Sequence, residues 1–290
     1  MLGCLEDWSQ TDVADCFCVK AKPERIQDIK DSVLEALLYK IFPKSTAASL
    51  RGRLLHIAAT RPGRTGRGNY HHVAAIAEGF ETGWSVPLEI ELGFILLDLE
   101  DDHTRFYPLV PAPVLGPRCW SDASFEPGHP IPKMRLCAIV GTSSHAEGVV
   151  CDIEAHTFSS LIPRSTQIMM GELLGVVLLF IHFPKELTKQ SSIAFVDNMG
   201  VIHTIVNGAS SEPDIGAVTQ ALHRRMSELG CVVWWEYVPS ASNIADGGSR
   251  DGVTCKLSEA ANITLKQVRL PVFPAAFPLC RPDAWTSWWS

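Results

Sequence analysis

A chain of 290 residues, 46% hydrophobic and 20% charged, is long enough for two ordinary domains and too apolar to be disordered. Its formal net charge of −7 excludes a protein that holds nucleic acid by bulk charge alone. The longest apolar run, Ile168 to Phe183, contains Glu172 and His182 and stops at Pro184, short of the roughly 20 clean residues of a membrane span.

In chain order, the opening MLGCLEDWSQ lacks the basic flank and apolar core of a signal peptide, so an intracellular protein, cytoplasmic or nuclear and without a membrane partner, is expected. Residues 23–42 read as a helix with Pro23 at its first position and Ile26, Ile29, Val33, Leu37 and Ile41 on its apolar face. A second helix from about Thr46 carries Leu50, Leu54, Ile57 and Ala58 on one side and ends at RPGRTGRG. Residues 70–102 read as helical again. Arg51, Arg53, Arg61, Arg64 and Arg67 fall in a stretch without acidic residues, which is where phosphates would be gripped. The alternative for that stretch is a solvated basic loop. The acids of LLDLEDDH follow an apolar helix-like run and read as a solvated helix end rather than a metal site.

Prolines 108, 111, 113 and 117 mark a stiff linker, after which the pattern changes. Strands are expected at 119–125, 135–141, 148–155, 193–197 and 231–238, and helices at 165–183, 199–207 and 214–229, with a short closing helix. The buried helix at 165–183 reads as a right-handed crossover that sets its two flanking strands side by side. The tail, with Pro271, Pro274, Pro278 and Pro282 among Trp285, Trp288 and Trp289, reads as extended chain over an apolar groove or an unstructured end. Nine cysteines lack zinc-type spacing and are expected as buried reduced thiols.

Four carboxylates sit where a charge is out of place without work to do. Asp122 lies in CWSDASF, Glu172 interrupts IMMGELLGVVLLFI, Asp197 ends the strand SIAFVD, and Asp246 lies in SNIADGGSR. Desolvating such a group is costly, so it has a partner, a metal or a shifted pKa. Acids in this order on strand, helix, strand and helix start suit a two-metal phosphodiesterase centre, with hard oxygen ligands for two Mg2+ ions and Mn2+ as the substitute. The alternatives are a turn aspartate at Asp122, a helix cap at Asp197 and a loop or capping role at Asp246.

W-S-D-A-S, G-E-L-L-G, F-V-D-N and V-P-S-x-S-N-x-A-D-G-x-S-R together resemble the ribonuclease H domain of retrotransposon reverse transcriptases, those of gypsy-type and tyrosine-recombinase-type elements above all. The resemblance covers about 118–250. It implies an α/β fold, a ribonuclease H-like mixed five-stranded sheet with flanking helices, that cuts the RNA strand of an RNA–DNA hybrid. By motif match, Asp122, Glu172, Asp197 and Asp246 are the catalytic and metal-binding residues. Ser124, Asn198, Asn243 and Arg250 stand beside them as substrate contacts. Leu2-Gly3, Lys22 to Ile26 and Ala47 to Leu54 resemble the segment after the polymerase palm, which implies a mainly helical part that holds the hybrid with Arg51 and Arg53 near phosphate.

The expected organisation is a thumb- or connection-like segment at 1–107, a linker at 108–117, a ribonuclease H-like domain at 118–255 and a tail at 256–290. Fingers and palm are missing, so DNA synthesis is not expected, and the missing polymerase portion is a candidate partner. Many ribonucleases H carry a histidine in the loop before the last helix, where it aids product release. VPSASNIADGG has none, so slow turnover is expected. A retroelement remnant that binds nucleic acid or protein without cutting is the alternative.

Overall fold

The computed structural model describes residues 4–7, 16–61, 70–100, 105–108, 116–128, 132–256, 261–275, 277–278 and 282–289. The chain divides into two compact units, Met1–Ala112 with Gly208–Ser211, and Pro113–Asn207 with Glu212–Ser290.

The first unit is less purely helical than expected. Beside helices α1 (Pro23–Tyr39), α2 (Lys44–Ala59), α3 (His71–Glu78) and α4 (Val86–Asp98) it holds an antiparallel sheet of β1 (Cys4–Asp7), β2 (Cys16–Ala21) and β3 (Arg105–Pro108). Helix α1 stops at Tyr39 because Lys40 turns left-handed, with its N–H on Ala36 O, so Ile41 is exposed rather than on the core face. The helical stretch read over 70–102 holds two helices, separated where Gly79 adopts φ +90° and Ser85 caps α4 by accepting from the N–H of Leu88. Ile29, Val33, Leu50, Leu54, Ile57, Val73, Leu88 and Leu92 form its core.

The basic stretch does not survive intact as a phosphate grip. Arg61 is buried and ion-paired to Asp98, so one end of LLDLEDDH is a buried pair and not a solvated helix end. Asp101, Asp102, Arg64 and Arg67 lie outside the described residues, as do Leu2 and Gly3 and most of the expected linker.

The second unit is built on a six-stranded mixed sheet in the order β8-β7-β4-β5-β6-β9. Its strands are β4 (Arg118–Glu126), β5 (Lys133–Gly141), β6 (Ala146–Asp152), β7 (Ser191–Val196), β8 (Val232–Tyr237) and β9 (Thr264–Val268). Strands β4, β5 and β6 form an antiparallel meander, β7 and β8 add in parallel on the β4 side, and β9 adds in parallel to β6. This is a mixed sheet with flanking helices, as expected, with one strand more than the five expected. The extra strand comes from the segment read as a tail.

The helices are α5 (Ala155–Ser160), α6 (Ile168–His182), α7 (Pro184–Leu187), α8 (Met199–Asn207), α9 (Pro213–Leu229) and α10 (Asp246–Asp251). Every residue from Met170 to Phe180 of α6 is buried, because the helix packs on β4 and β5 and against α9. A helix covered on all sides is apolar all round, which is what its sequence shows. Its flanking strands, β6 and β7, are not neighbours as expected. The chain crosses past β5 and sets β7 beside β4 instead, because β4 to β6 already pair as a meander.

The tail is also part of this core. Phe273, Trp285 and Trp288 are buried, ring centroids of Trp285 and Trp288 lie 4.6 Å apart, and Trp288 Nε1 donates to Val272 O at 2.7 Å. Stripping water from three large aromatic faces outweighs the extended bias of the prolines. Of the nine cysteines, the six whose side chains are described are buried thiols outside any disulfide. No described helix is long and apolar enough to cross a membrane.

Candidate metal centre

Parallel pairing of β4 with β7 ends at Ser121 opposite Val196, so Asp122 and Asp197 are the next residue on each of two adjacent strands. Neighbouring strands run about 4.8 Å apart, which brings the two carboxylates side by side at one end of the pairing. Glu172 arrives from α6. The helix lies unusually close to β4 because Gly171 and Gly175 flank the glutamate by one position and three. A Cβ on Gly171 would meet Met134 Sδ at 2.9 Å and Ala123 Cβ at 3.1 Å, and one on Gly175 would meet Asp122 O at 3.1 Å. The two glycines of G-E-L-L-G therefore set the approach that lets a glutamate side chain reach a strand aspartate.

The result is a cluster in which Asp122, Glu172 and Asp197 each offer a carboxylate oxygen within 4.8 Å of the others. Asp122 and Glu172 are buried, at 3% and 4% exposure, and Asp197 is half-buried. Burial is the main force on Glu172, with Asp122, Asp197 and Asp246 adding repulsion, and its carboxyl is pushed up to about 9. Asp122 is pushed up to about 7 by burial, opposed by a hydrogen bond from Ser249 and reinforced by Asp197 and Asp246. The backbone N–H of Ala123 donates to Glu172, yet Glu172 Oε2 is buried without a hydrogen-bond partner, and so is Asp197 Oδ1. Buried acceptors left unpaired in a native fold call for an absent partner, and a hard divalent cation fits three clustered carboxylates by charge and donor type.

The fourth expected ligand stands apart from the three. Asp246 opens α10, its side chain is 28% exposed, and both its oxygens accept from Arg250 Nε, at 2.8 and 2.9 Å. Its charge is still felt by Asp122 and Glu172.

The alternatives for the acids resolve separately. Asp122 is inside β4, opposite Cys137 of β5, and so is not a turn residue. Asp197 does not cap α8, because Asn198 does: Asn198 Oδ1 accepts from the N–H groups of Gly200 at 3.0 Å and Val201 at 3.2 Å. Asp246 spends its side chain on Arg250 rather than on the helix end.

The expected substrate contacts have intramolecular partners. Ser124 Oγ donates to Ser249 O at 2.7 Å, tying β4 to α10. Asn243, 3% exposed, donates through Nδ2 to Ser121 O at 2.9 Å and to Asp122 Oδ1 at 3.3 Å. Arg250 is mostly exposed apart from its pair with Asp246. Arg51 and Arg53 belong to the first unit. Arg51 pairs with Glu78 at 2.8 Å, and Arg53 donates to Asp28 O at 3.1 Å and Ser32 Oγ at 3.0 Å. Sequence reasoning missed Ser249, which is 1% exposed and donates to Asp122 Oδ2.

No family model matches the chain, and no curated protein matches it. The solved structures that resemble part of it include two ribonucleases H. One is the N-terminal ribonuclease H domain of a Mycobacterium tuberculosis protein, solved as a fusion with maltose binding protein, at 13% identity and a TM-score of 0.34, covering 51% of this chain and 99% of that one. The other is LC9-RNase H1, a type 1 ribonuclease H with the type 2 active-site motif, at 12% identity and a TM-score of 0.35, covering 58% of this chain and 100% of that one.

Proposed function

We propose that the second unit is a ribonuclease H-type endonuclease that hydrolyses the RNA strand of RNA–DNA hybrids with two divalent cations, Mg2+ by preference and Mn2+ in its place. The reading extends to the whole chain as the carboxyl-terminal piece of a retrotransposon reverse transcriptase. In it, residues 1–107 hold the hybrid and the polymerase portion, absent here, is a partner. The observation that carries the nuclease reading is the convergence of Asp122, Glu172 and Asp197 with two buried carboxylate oxygens unpartnered.

Bound cations would supply an activated water and charge neutralisation at the leaving oxygen. Asp122, Glu172 and Asp197 would hold them, with Asp246 completing the set once Arg250 gives way. Asp122 would be the central ligand, its carboxylate fixed by hydrogen bonds to both its oxygens. Glu172, buried, would shed its proton where cation charge replaces the missing solvation. Arg250 keeps Asp246 oriented and limits the excess negative charge facing a phosphodiester.

The second reading, a remnant that binds without cutting, is favoured by one feature: the segment from Pro239 to Ala245 has no histidine. An end-labelled RNA–DNA hybrid incubated with magnesium decides between the two. Cuts in the RNA strand that vanish with Asp197→Asn and with chelator are the expected result. Intact RNA beside tight, salt-sensitive hybrid binding would leave the remnant reading standing.

A further inference from the structure

Asp122 differs from its two neighbours in the way its oxygens are used. Glu172 and Asp197 each keep a buried oxygen without a partner, whereas both oxygens of Asp122 accept a hydrogen bond from a neutral donor. Asn243 Nδ2 serves Oδ1 at 3.3 Å, and Ser249 Oγ serves Oδ2. These donors lie at −3 and +3 from Asp246, so one short segment carries the fourth carboxylate and also grips the first.

We infer that Asn243 and Ser249 are positioning residues, a two-sided clamp that fixes the plane of the Asp122 carboxylate and ties its place to that of Asp246. The inference rests on the metal-centre reading above and reassigns Asn243 from substrate contact to metal-site geometry.

Three observations support the clamp. Both donors are buried, Asn243 at 3% and Ser249 at 1% exposure, so neither side chain is presented to a substrate. Both are themselves held. Asn243 Oδ1 accepts from the N–H of Ala245 at 3.2 Å while its Nδ2 also reaches Ser121 O at 2.9 Å. Ser249 Oγ lies 2.9 Å from Asp246 O, and its single proton serves the carboxylate whenever Asp122 is ionised. Finally, the segment is anchored at its far end, where Arg135 NH1 donates to Arg250 O at 3.0 Å and the same guanidinium pairs with Asp152 through Nε at 2.6 Å.

Neutral donors suit this task better than cations. A lysine or arginine on Asp122 would compete with a metal for the charge, whereas a hydroxyl and an amide orient each oxygen and leave a lone pair on it for a cation. The GG between Asp246 and Ser249 fits the same purpose. A Cβ on Gly248 would come 2.4 Å from Cys137 Sγ, so α10 must present a bare backbone to β5 for Ser249 to reach Asp122 on the next strand.

Two variants of the full chain test this. Ser249→Ala deletes one donor at almost unchanged volume, and Asn243→Asp keeps the acceptor for Ala245 while losing the amide donors. Manganese binding is titrated by calorimetry, urea midpoints are measured in chelator, and hybrid cleavage is followed against magnesium concentration. Each variant should weaken manganese affinity by about tenfold or more. The hybrid KM should stay unchanged, and cleavage should recover as magnesium is raised. Should either variant fail to fold, the other decides.

Manganese affinity within about twofold of wild type in a folded variant overturns the clamp, and so does a raised hybrid KM that magnesium does not correct. Wild-type protein that neither binds manganese nor cleaves the hybrid overturns the nuclease reading and the clamp with it. Wild type that does both, beside variants that titrate like it, overturns the clamp alone.

Discussion

Glu172→Gln isolates the electrostatic cost of the centre. The folded-state carboxyl is pushed from its ordinary 4.5 up to about 9, chiefly by burial. A carboxyl raised in this way contributes its stability below the unfolded value and loses it as pH rises toward the folded one. Between pH 6 and pH 8, inside that window, unfolded Glu172 is ionised while folded Glu172 keeps its proton. Metal-free protein should therefore lose about 1.4 kcal/mol per pH unit through this residue, or about 2.7 kcal/mol over the interval. Glutamine has nearly the same shape and no proton to lose, so the variant should show a pH slope shallower by that amount, the remainder coming from the other shifted groups, Asp122 and Glu91 among them. Urea denaturation in chelator at pH 6, 7 and 8, followed by tryptophan fluorescence, gives both slopes. Saturating magnesium should then stabilise wild type more at pH 8 than at pH 6 and leave the variant almost unmoved. Parallel pH profiles for the two proteins in chelator would show that Glu172 is not held in a water-poor acidic cluster, and the argument for a metal would lose its main support.

Asp197→Asn should abolish hybrid cleavage and leave the thermal midpoint in chelator unchanged or slightly raised, since Asn198 rather than Asp197 caps α8; a fall in midpoint of more than about 4 °C would mark a structural residue. Gly175→Ala places a methyl 3.1 Å from the backbone of Asp122 and should cost about 1–3 kcal/mol by urea denaturation, with cleavage falling more steeply than stability. Trp288→Ala should cost about 3 kcal/mol or more, because the ring is buried against Phe273 and Trp285; a loss below about 1 kcal/mol would return the tail to the status of a loose end. Replacing Arg51 and Arg53 by alanine should weaken hybrid binding and flatten the log–log salt dependence by about 2, read by fluorescence anisotropy. An unchanged slope would remove these arginines from the proposed hybrid path.

The sheet was legible where apolar alternation is strong and invisible where pairing alone makes a strand. Strands β4, β5 and β7 carry runs that water rejects, and each was placed to within two residues. Strand β9, TLKQV, has no fully buried residue, so nothing in its composition distinguishes it from a loop; it is a strand because β6 offers an unpaired edge. Strands β1 to β3 are four to six residues long, and β2 and β3 lie more than 80 positions apart, so their pairing has no local signature. The tail misled for a different reason: prolines report backbone bias, whereas the three-ring cluster of Phe273, Trp285 and Trp288 is decided by burial against a core that only the assembled fold provides.

At the centre, the residues that are chemically improbable were the readable ones. Glu172 announced itself because a charge in an all-apolar helix is too costly to desolvate unless a partner, a metal or a bound proton offsets it. Asp197 and Asn198 were harder, since both cap helices well and only the structure shows that Asn198 takes the two N–H groups and leaves an Asp197 oxygen unpaired. Ser249 was unreadable in principle, because a serine near a helix end is ordinary and its meaning lies in Asp122, 127 positions away in sequence. The same limit applies to Asn243, whose amide donates inward to Ser121 O and Asp122 Oδ1. A polar side chain's direction is set by which acceptor the fold leaves within reach. Here the fold puts a buried aspartate between them, and both donors reach it.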